Sequence, residues 1–267
     1  MTRRPGIFLT AYFWIVIAYL LMPVLIIVPL SFGRQEFMHF PPRSFGLRWY
    51  VEYFSSTPWL ESTFRSLRIA LSSCLLSTFL GCLGSIALER GHMPWRGFLS
   101  GMFASPAIVP QIVFALALFI AAVALGMTGE ELLLIVAHSV LGLPFTILII
   151  SSALRQIDPT LERAARIMGA GPVRGFFAAT FPSLTPSIVS AAIFVFFISF
   201  DELIVALFVM GDKQTLPVRI WTDLRFELSP VIAPISTLMV AFTVIAMGIA
   251  EFLRRKAVQQ KSQMGKS

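Results

Sequence analysis

The chain has 267 residues, of which 57% are hydrophobic and 13% charged, and its formal net charge is +7. This length allows one or two soluble domains, but a mean hydropathy of +0.81 places the chain among membrane proteins. The basic balance does not indicate nucleic-acid binding, because Lys and Arg cluster at the ends of apolar segments, as topology signals do.

Six segments contain the roughly 20 mostly apolar residues that a membrane-spanning helix needs. The predicted spans are residues 8–31, 64–88, 98–125, 130–153, 186–210 and 231–253. The sequence therefore predicts an all-α, polytopic membrane protein with six transmembrane helices in a single domain over residues 1–267. The first apolar segment exceeds the length of a signal-peptide core, so we expect an uncleaved helix there.

Prolines and caps predict local features of three spans. Pro106 and Pro110 in the third span and Pro144 in the fourth predict kinks or broken backbone hydrogen bonds. Thr185 as N-cap and Pro186 at the first helical position predict the start of the fifth span. The aromatic residues of the first outer loop, 32–63, predict a short interfacial helix.

The distribution of charge predicts the orientation of the spans. With the N-terminus inside, the inner side collects thirteen Lys and Arg residues against four acidic ones, while the outer side has eight of each. The positive-inside rule then puts both termini in the cytoplasm. It also makes residues 154–186 a cytoplasmic loop and residues 254–267 a polar, frayed cytoplasmic tail.

The loop 154–186 is too polar to span a membrane, yet it has helical periodicity. Asp158 can cap a short helix that has Pro159 in its first turn and ends at Gly169 and Gly171. Pro172 can open a second short helix, which we expect to stop at Phe181, before Pro182. The apolar face of the first helix consists of Leu161, Ala164, Ala165 and Met168.

Two short helices with an apolar face and cationic edges suit docking into a groove of another protein. The alternative is an amphipathic helix that touches only lipid headgroups.

The residues of this loop resemble the EAA loop of ATP-binding-cassette importer permeases. The resemblance rests on Glu162-Arg163-Ala164-Ala165, on Gly169-Ala170 and on Phe181-Pro182 with Pro186 beyond. It implies a coupling helix that inserts into a groove of the ATPase subunit. One departure is that the family's usual glutamate position, six residues before the glycine, holds Arg163 here. An acidic contact with the ATPase is then moved or absent, and a compensating change in the partner is expected.

Further segments resemble the spermidine/putrescine permease subfamily. They are Ser199-Phe200-Asp201-Glu202-Leu203, Gly211 with Thr215-Leu216-Pro217-Val218, and Ala137-His138 with Leu143-Pro144-Phe145. The resemblance implies a bacterial inner-membrane subunit that moves a small cationic solute, and no cofactor. It also implies four kinds of partner: a second permease, two ATPase subunits, an extracytoplasmic binding protein and membrane lipid. Other amines, amino-acid derivatives and anionic solutes remain alternative substrates.

Asp201 and Glu202 lie about 15 residues into the predicted fifth span, where an unpaired carboxylate costs on the order of 3 kcal/mol or more. One hypothesis is that Asp201, supported by Glu202, lines the solute path and compensates a cation. The alternative is a structural helix-to-helix pair, for example with Arg65 or Arg68 at the outer end of the second span.

His138 is the only histidine in a predicted span. A neutral imidazole that is hydrogen-bonded to a neighbouring helix is favoured over a proton relay.

Catalytic and nucleotide-binding patterns are absent from the sequence. Gly265-Lys266-Ser267 resembles the end of a phosphate-binding loop, but the earlier glycine position holds Gln260. The chain is therefore predicted to be a non-catalytic subunit that depends on a separate ATPase. Two rival classes remain open: a proton-coupled carrier, and a membrane-embedded enzyme or scaffold whose cytoplasmic helices recruit another partner.

Overall fold

The computed structural model describes residues 7–91, 94–226 and 229–264. The described backbone is helical, apart from turns and one isolated β-bridge between Gly33 and Phe45. The all-α prediction is thus confirmed. The helices are α1 Ile7–Ser31, α2 Arg48–Ser55, α3 Thr57–Arg90, α4 Arg96–Ile108, α5 Gln111–Leu125, α6 Glu131–Gln156, α7 Thr160–Ile167, α8 Pro172–Gly175, α9 Phe181–Phe200, α10 Ile204–Val209, α11 Leu216–Phe226 and α12 Ile232–Met264.

Five described segments are long and apolar enough to cross a membrane. They are α1, α3, α6, the stretch Pro172–Phe200 and the Ile232–Ile249 part of α12. The pair α4 and α5 makes a sixth if it counts as one span, but the two helices are bent by 96°. The spans predicted at 8–31, 64–88 and 130–153 correspond closely to α1, α3 and α6.

The bend in the third predicted span lies where Pro110 follows Val109. Val109 has an extended backbone, as the residue before proline prefers, and Pro110 is the N-cap of α5. The break expected at Pro110 is therefore confirmed. By contrast, α4 and α6 continue through Pro106 and Pro144.

The predicted start of the fifth span is wrong. A π-helical turn, Phe176–Thr180, joins α8 to α9, so the chain is helical from Pro172 to Phe200. Pro182 stops no helix, and Pro186 lies inside α9. Thr185 donates its hydroxyl to the carbonyl of Phe181, one turn earlier, and caps nothing. A widened π turn directly before Pro182 tolerates a proline, because the regular i to i−4 bonding is already interrupted.

The end of the fifth span and the C-terminal tail also differ from expectation. α9 ends at Phe200, so Asp201 and Glu202 occupy a break before α10 and not the middle of a helix. The tail expected to be frayed is helical over 254–264, since α12 continues to Met264. Residues 265–267 lie outside the described part of the chain.

The chain divides into two compact units, one from residues up to 60 with 220–248 and the other from 61–219 with 249 onward. In the first unit, α2 is the short helix expected in the outer loop, and it buries Trp49 and Tyr53. Trp49 donates its indole N–H to the carbonyl of Gln35 at 3.2 Å. Ser31 at the end of α1 bonds the hydroxyl of Tyr50 at 2.8 Å. These contacts fix α2 against the end of α1.

The second unit is built around α6. Its cytoplasm-proximal half, by the predicted orientation, packs on α9 through Ile150, Leu154, Leu184 and Ala191. Its other half packs with α5 and α10 through a second cluster that includes Leu134 and Val205. Lipid is as apolar as these side chains, so close packing and interhelical hydrogen bonds stabilise such contacts.

Hydroxyl groups supply those interhelical bonds between α3 and α6. Ser73 donates to the carbonyl of Ile135 at 3.1 Å, and Ser77 bonds Thr146 at 3.3 Å. These bonds hold α3 and α6 together as one frame, by which we mean the pair of helices on which the neighbouring segments pack.

Candidate functional site

The coupling segment begins with α7, which is capped at both ends by its own sequence. The Asp158 carboxylate accepts the amide N–H of Thr160 at 2.8 Å. This bond lowers the pKa of the Asp158 carboxyl below its ordinary value, so it stays ionised at the helix start. At the other end Gly169 has a φ of +89°, and the amide of Ala170 reaches the carbonyl of Ala165 at 3.0 Å. The capping by Asp158 and the stop at Gly169 are confirmed.

The predicted apolar face of α7 is mostly exposed. Ala165 is buried against Gly175, while Leu161, Ala164 and Met168 are open to solvent. Ile167 and Met168 are 88% and 82% exposed, and Val173 of α8 is 71% exposed. Exposed apolar side chains of this size are typical of interaction surfaces.

The cationic residues of this segment are exposed as well. Arg163 and Arg166 on α7 and Arg174 on α8 are all exposed, and Ala170 follows Gly169 as a half-buried residue. We call the exposed apolar and cationic residues between 161 and 174 the coupling surface. It presents no exposed acidic side chain, because Glu162 is turned inward.

Glu162 is bound within the chain. Its Oε1 accepts the hydroxyl of Thr180 in the π-helical turn at 2.6 Å. The same oxygen lies 3.7 Å from Nε of Arg90, at the end of α3. The side chains of Arg90 and Glu162 are only 21% and 13% exposed. Of the six residues predicted for ATPase coupling, Glu162 is thus the one whose charge is engaged inside the chain.

Glu202, at the break between α9 and α10, is a buried carboxylate with several hydrogen-bond donors. Its oxygens accept the amides of Val205 and Ala206 at 2.8 and 3.0 Å, which caps α10. The side-chain amide of Gln111, the first residue of α5, donates to it at 2.8 Å. A carboxylate with several donors is stable where an unpaired one is costly, so Glu202 ties two helix breaks together.

His138 of α6 completes this buried cluster. Its Nε2 lies 3.2 Å from Glu202, and its Nδ1 lies 2.7 Å from the hydroxyl of Ser199 on α9. A carboxylate only accepts, so Nε2 carries a proton, and a neutral ring then accepts the Ser199 hydroxyl at Nδ1. The geometry satisfies every group of the cluster without a charged imidazole.

Asp201 is adjacent in sequence but lies in a different environment. It is exposed, and within the described residues no hydrogen bond or ion pair joins its carboxylate to another side chain. Its backbone amide closes the last turn of α9 by donating to Phe197. Asp201 is therefore the one of the two neighbouring carboxylates that no described side chain binds.

The structural alternative, a helix-to-helix pair, describes Glu202, but its partners are Gln111 and His138 and not the arginines named as examples. Arg65 and Arg68 both bind Glu131 at the start of α6, with Nε to oxygen distances of 3.2 and 2.9 Å. Arg65 also donates to the carbonyl of Gln214 at 2.9 Å. The arginines thus attach the N-terminal part of α3 to the start of α6 and to the segment before α11.

Gln111, Arg90 and Thr180 take part in these clusters and were not predicted as site residues. Each is an ordinary polar residue at the end of a helix, and its partner is distant in sequence. Arg90 and Gln111 do share one signal, a polar side chain beside a long apolar run. Among the described residues, no group of three or more His, Cys, Asp or Glu side chains is placed to hold a metal ion.

The helices, the exposed loop between two long helices and the buried polar cluster define a polytopic membrane protein of the permease class. A family model, described as binding-protein-dependent transport system inner membrane component, matches residues 78–259. The chain belongs to this family. Its members are the non-catalytic, multi-pass membrane subunits of ATP-binding-cassette importers, which work with a further permease, ATPase subunits and a binding protein.

Individual relatives agree with this family. The chain is 28% identical over 247 residues to the spermidine/putrescine transport system permease protein PotC of Haemophilus influenzae, covering 92% of this chain and 96% of that protein. It is 29% identical over 251 residues to the putrescine transport system permease protein PotI of Escherichia coli K12, covering 91% and 89%.

A solved structure has the same fold. It is a chain of a bacterial ABC transporter involved in the import of the acidic polysaccharide alginate. The TM-score is 0.72 at 14% identity, and the match covers 92% of this chain and 95% of that one.

Proposed function

We propose that the chain is one of two permease subunits in a bacterial inner-membrane importer for a polyamine such as spermidine or putrescine. Its relatives PotC and PotI carry these substrates in their names and align along nearly the whole chain. The single structural observation that carries the proposal is the exposed carboxylate of Asp201 beside the buried Glu202. A polyamine is a flexible cation, and an intramembrane carboxylate without a partner is what such a cation needs.

In this proposal the two neighbouring carboxylates have different roles. Glu202, held by Gln111, His138 and two backbone amides, fixes the break between α9 and α10. α9 ends at Phe200, and the amide of Asp201 closes its last turn by donating to the carbonyl of Phe197, so Asp201 lies at the C-terminal end of α9. Asp201 then contacts the solute, while Glu202 and His138 line the path only as support.

The proposed topology has six spans with both termini in the cytoplasm, in one permease domain over residues 1–267. Residues 154–186 and the tail 254–267 then lie on the side of the ATPases. The charge asymmetry of the sequence supports this orientation, and the exposed coupling surface supports docking of α7 and α8 into an ATPase groove. Glu162, Arg163, Ala164, Ala165, Gly169 and Ala170 form the proposed coupling element.

The proposed mechanism is alternating access in an assembly of two permeases, two ATPases and an extracytoplasmic binding protein. Closure of the ATPases on ATP displaces α7 and α8. The π-helical turn joins α8 directly to α9, so the displacement reaches the helix that ends at Asp201.

The test is uptake by the reconstituted assembly. Proteoliposomes that contain the permeases and ATPases, with ATP inside and binding protein outside, are expected to accumulate radiolabelled spermidine or putrescine. Asp201→Asn is expected to lower kcat/KM for uptake roughly ten- to hundredfold, the loss expected for one charge-assisted contact. The matched control is Asp212→Asn, which removes an exposed carboxylate from the turn before α11 and is expected to transport normally.

Two results would overturn the proposal at different levels. Accumulation of an anionic solute in place of the amines removes the polyamine assignment and leaves the importer. Normal amine uptake by Asp201→Asn removes the assigned role of this carboxylate.

A further inference from the structure

Four segments of the second unit meet at one ion pair near the coupling surface. Arg90, at the end of α3, donates from Nη2 to the carbonyl of Ile157 at 3.0 Å, just after the end of α6. Its Nε faces Glu162 of α7 at 3.7 Å, and Glu162 accepts the hydroxyl of Thr180 at 2.6 Å. We call Arg90, Glu162 and Thr180 the coupling clamp.

The clamp fastens α7 to two different helices at once. Through Arg90 it is attached to α3, a 34-residue helix that forms a frame with α6. Through Thr180 it is attached to the π-helical turn that continues into α9. The only buried residue on α7 is Ala165, so its apolar contacts alone are few. A short helix with one small buried side chain needs polar contacts to move with its neighbours as a rigid body.

The neighbouring arginines have the opposite arrangement. Arg163 and Arg166 are exposed, whereas the neighbouring Glu162 carboxylate faces Arg90 of α3. The arrangement divides α7 into an outer surface, apolar and cationic, and an inner polar surface that touches only this chain.

We propose that Glu162 is a positioning residue that transmits force from the coupling surface to α3 and α9 and does not touch the ATPase. This inference rests on the proposed function, since it requires an ATPase that moves α7. Arg90 has a further property that suits a moving part. Its Nε has no hydrogen-bond partner among the described residues, because 3.7 Å is too long for a hydrogen bond. A displacement of α7 of less than an ångström would convert the ion pair into a charge-assisted hydrogen bond or release it.

The exposed arginines predict the chemistry of the ATPase groove that faces them. Since the coupling surface presents Arg163 and Arg166 and no acidic side chain, the facing ATPase groove should present carboxylates or backbone carbonyls to these arginines.

The test uses the complete assembly and measures two quantities for each variant. One is the amount of ATPase that co-purifies with the permease, and the other is solute accumulated per ATP hydrolysed in proteoliposomes. For Glu162→Gln, ATPase recovery is expected to stay unchanged, while solute per ATP falls about fivefold or more, the lower end of typical coupling energies. Thr180→Val should change the same ratio in the same direction, and Thr180→Ser, which keeps the hydroxyl, should retain it.

A double variant with Arg90→Gln tests whether Arg90 and Glu162 act as a pair. If the clamp acts as a unit, Glu162→Gln adds little to the loss already caused by Arg90→Gln. Should the Glu162→Gln permease itself fail to fold, the Thr180→Val and Thr180→Ser pair decides the question by the same ratio of solute to ATP.

Two outcomes overturn the inference. Loss of ATPase recovery in Glu162→Gln but not in Arg90→Gln would place Glu162 at the partner interface. Unchanged solute per ATP in both Glu162→Gln and Thr180→Val would show that the clamp transmits nothing. Failure of the wild-type chain to recover any ATPase would instead remove the proposed function.

Discussion

Two carboxylates that are neighbours in sequence differ in what the fold does to them. Glu202 is 5% exposed and accepts hydrogen bonds from three other segments, whereas Asp201 is exposed and has none from side chains of the described residues. Neutralising either removes the same formal charge. The consequences should nevertheless separate, because one charge stabilises the fold and the other is available to a solute.

The first prediction is that Glu202→Gln destabilises the protein. A glutamine at this position must direct its NH₂ toward a donor, the Gln111 amide, the His138 N–H or the backbone amides of α10. The expected cost is roughly 2–3 kcal/mol, in the range of a hydrogen bond to a charged group. The measurement is the apparent unfolding midpoint of the purified complex in detergent.

Asp201→Asn is the matched control for this prediction. It should change the free energy of unfolding by less than about 0.5 kcal/mol, as exposed substitutions do. Equal destabilisation by the two substitutions would contradict the separate roles.

Sequence alone could identify the acidic pair but not divide its roles. A carboxylate in an apolar segment demands a partner, so Asp201 and Glu202 were predictable as functional or structural sites. The partners of Glu202 were not predictable, because Gln111 and His138 lie 91 and 64 residues away. Nothing in a single sequence connects residues at such a separation.

The coupling element shows how local signals fix a short helix. Asp158 and Gly169 were predictable because each acts on the backbone within a few residues of itself. The helix is short and buries little, so its ends contribute much of its stability.

The second prediction therefore concerns Gly169. Its φ of +89° disfavours any residue with a Cβ, so Gly169→Ala should cost about 1–2 kcal/mol at the end of α7. The expected result is a several-fold loss of co-purifying ATPase with little change in the unfolding midpoint. Gly171→Ala is the control, since Gly171 has a φ of −63° and open space around its Cβ position. Comparable losses in both variants would show that the backbone conformation of Gly169 is not the cause.

The third prediction concerns the packing of α6 on α9. A Cβ added at Gly142 would lie 2.5 Å from Cγ1 of Val195 and 3.0 Å from the hydroxyl of Ser77. Gly142→Ala should thus lower the apparent unfolding midpoint, at a cost of about 1–3 kcal/mol for overpacking. Gly101→Ala in α4 is the control, because no atom lies within 4 Å of its added Cβ. A Gly142→Ala variant as stable as the wild type would argue against a close helix contact.

The sequence predicts a helix well where a long apolar run defines it. It does not predict a helix break whose exposed backbone groups are bound by a side chain. α1, α3 and α6 follow from their apolar runs. The segment Ser-Phe-Asp-Glu-Leu contains neither proline nor glycine, so no local signal marks the break after Phe200. The Glu202 carboxylate compensates that break by capping α10. Pro182 and Pro186 misled the prediction in the other direction. They predicted a helix boundary where the π-helical turn keeps the chain helical from Pro172 to Phe200.

At the scale of the whole molecule, the orientation in the membrane is the prediction that most of the mechanism requires. The fourth prediction tests it in a background with Cys74→Ser and Cys82→Ser. A cysteine in place of Lys213 should react with a membrane-impermeant thiol reagent in intact spheroplasts. A cysteine in place of Arg163 should react only after permeabilisation, because the positive-inside rule puts α7 in the cytoplasm. The reverse pattern would place the coupling surface outside the cell and end the mechanism.

Transport by the whole molecule could be driven by ATP hydrolysis or by a proton gradient, and the environment of His138 bears on this choice. A proton relay through His138 would require its imidazole to exchange protons with water along the path. Its ring is 1% exposed, and both nitrogens are engaged by Ser199 and Glu202, so proton exchange would require opening the cluster that holds α5, α6 and α10 together. We therefore expect solute accumulation in proteoliposomes to persist when an ionophore collapses the proton gradient, and to stop when ATP is replaced by a non-hydrolysable analogue. Accumulation that follows the imposed proton gradient without ATP would identify a carrier instead, with the buried His138 cluster as its relay.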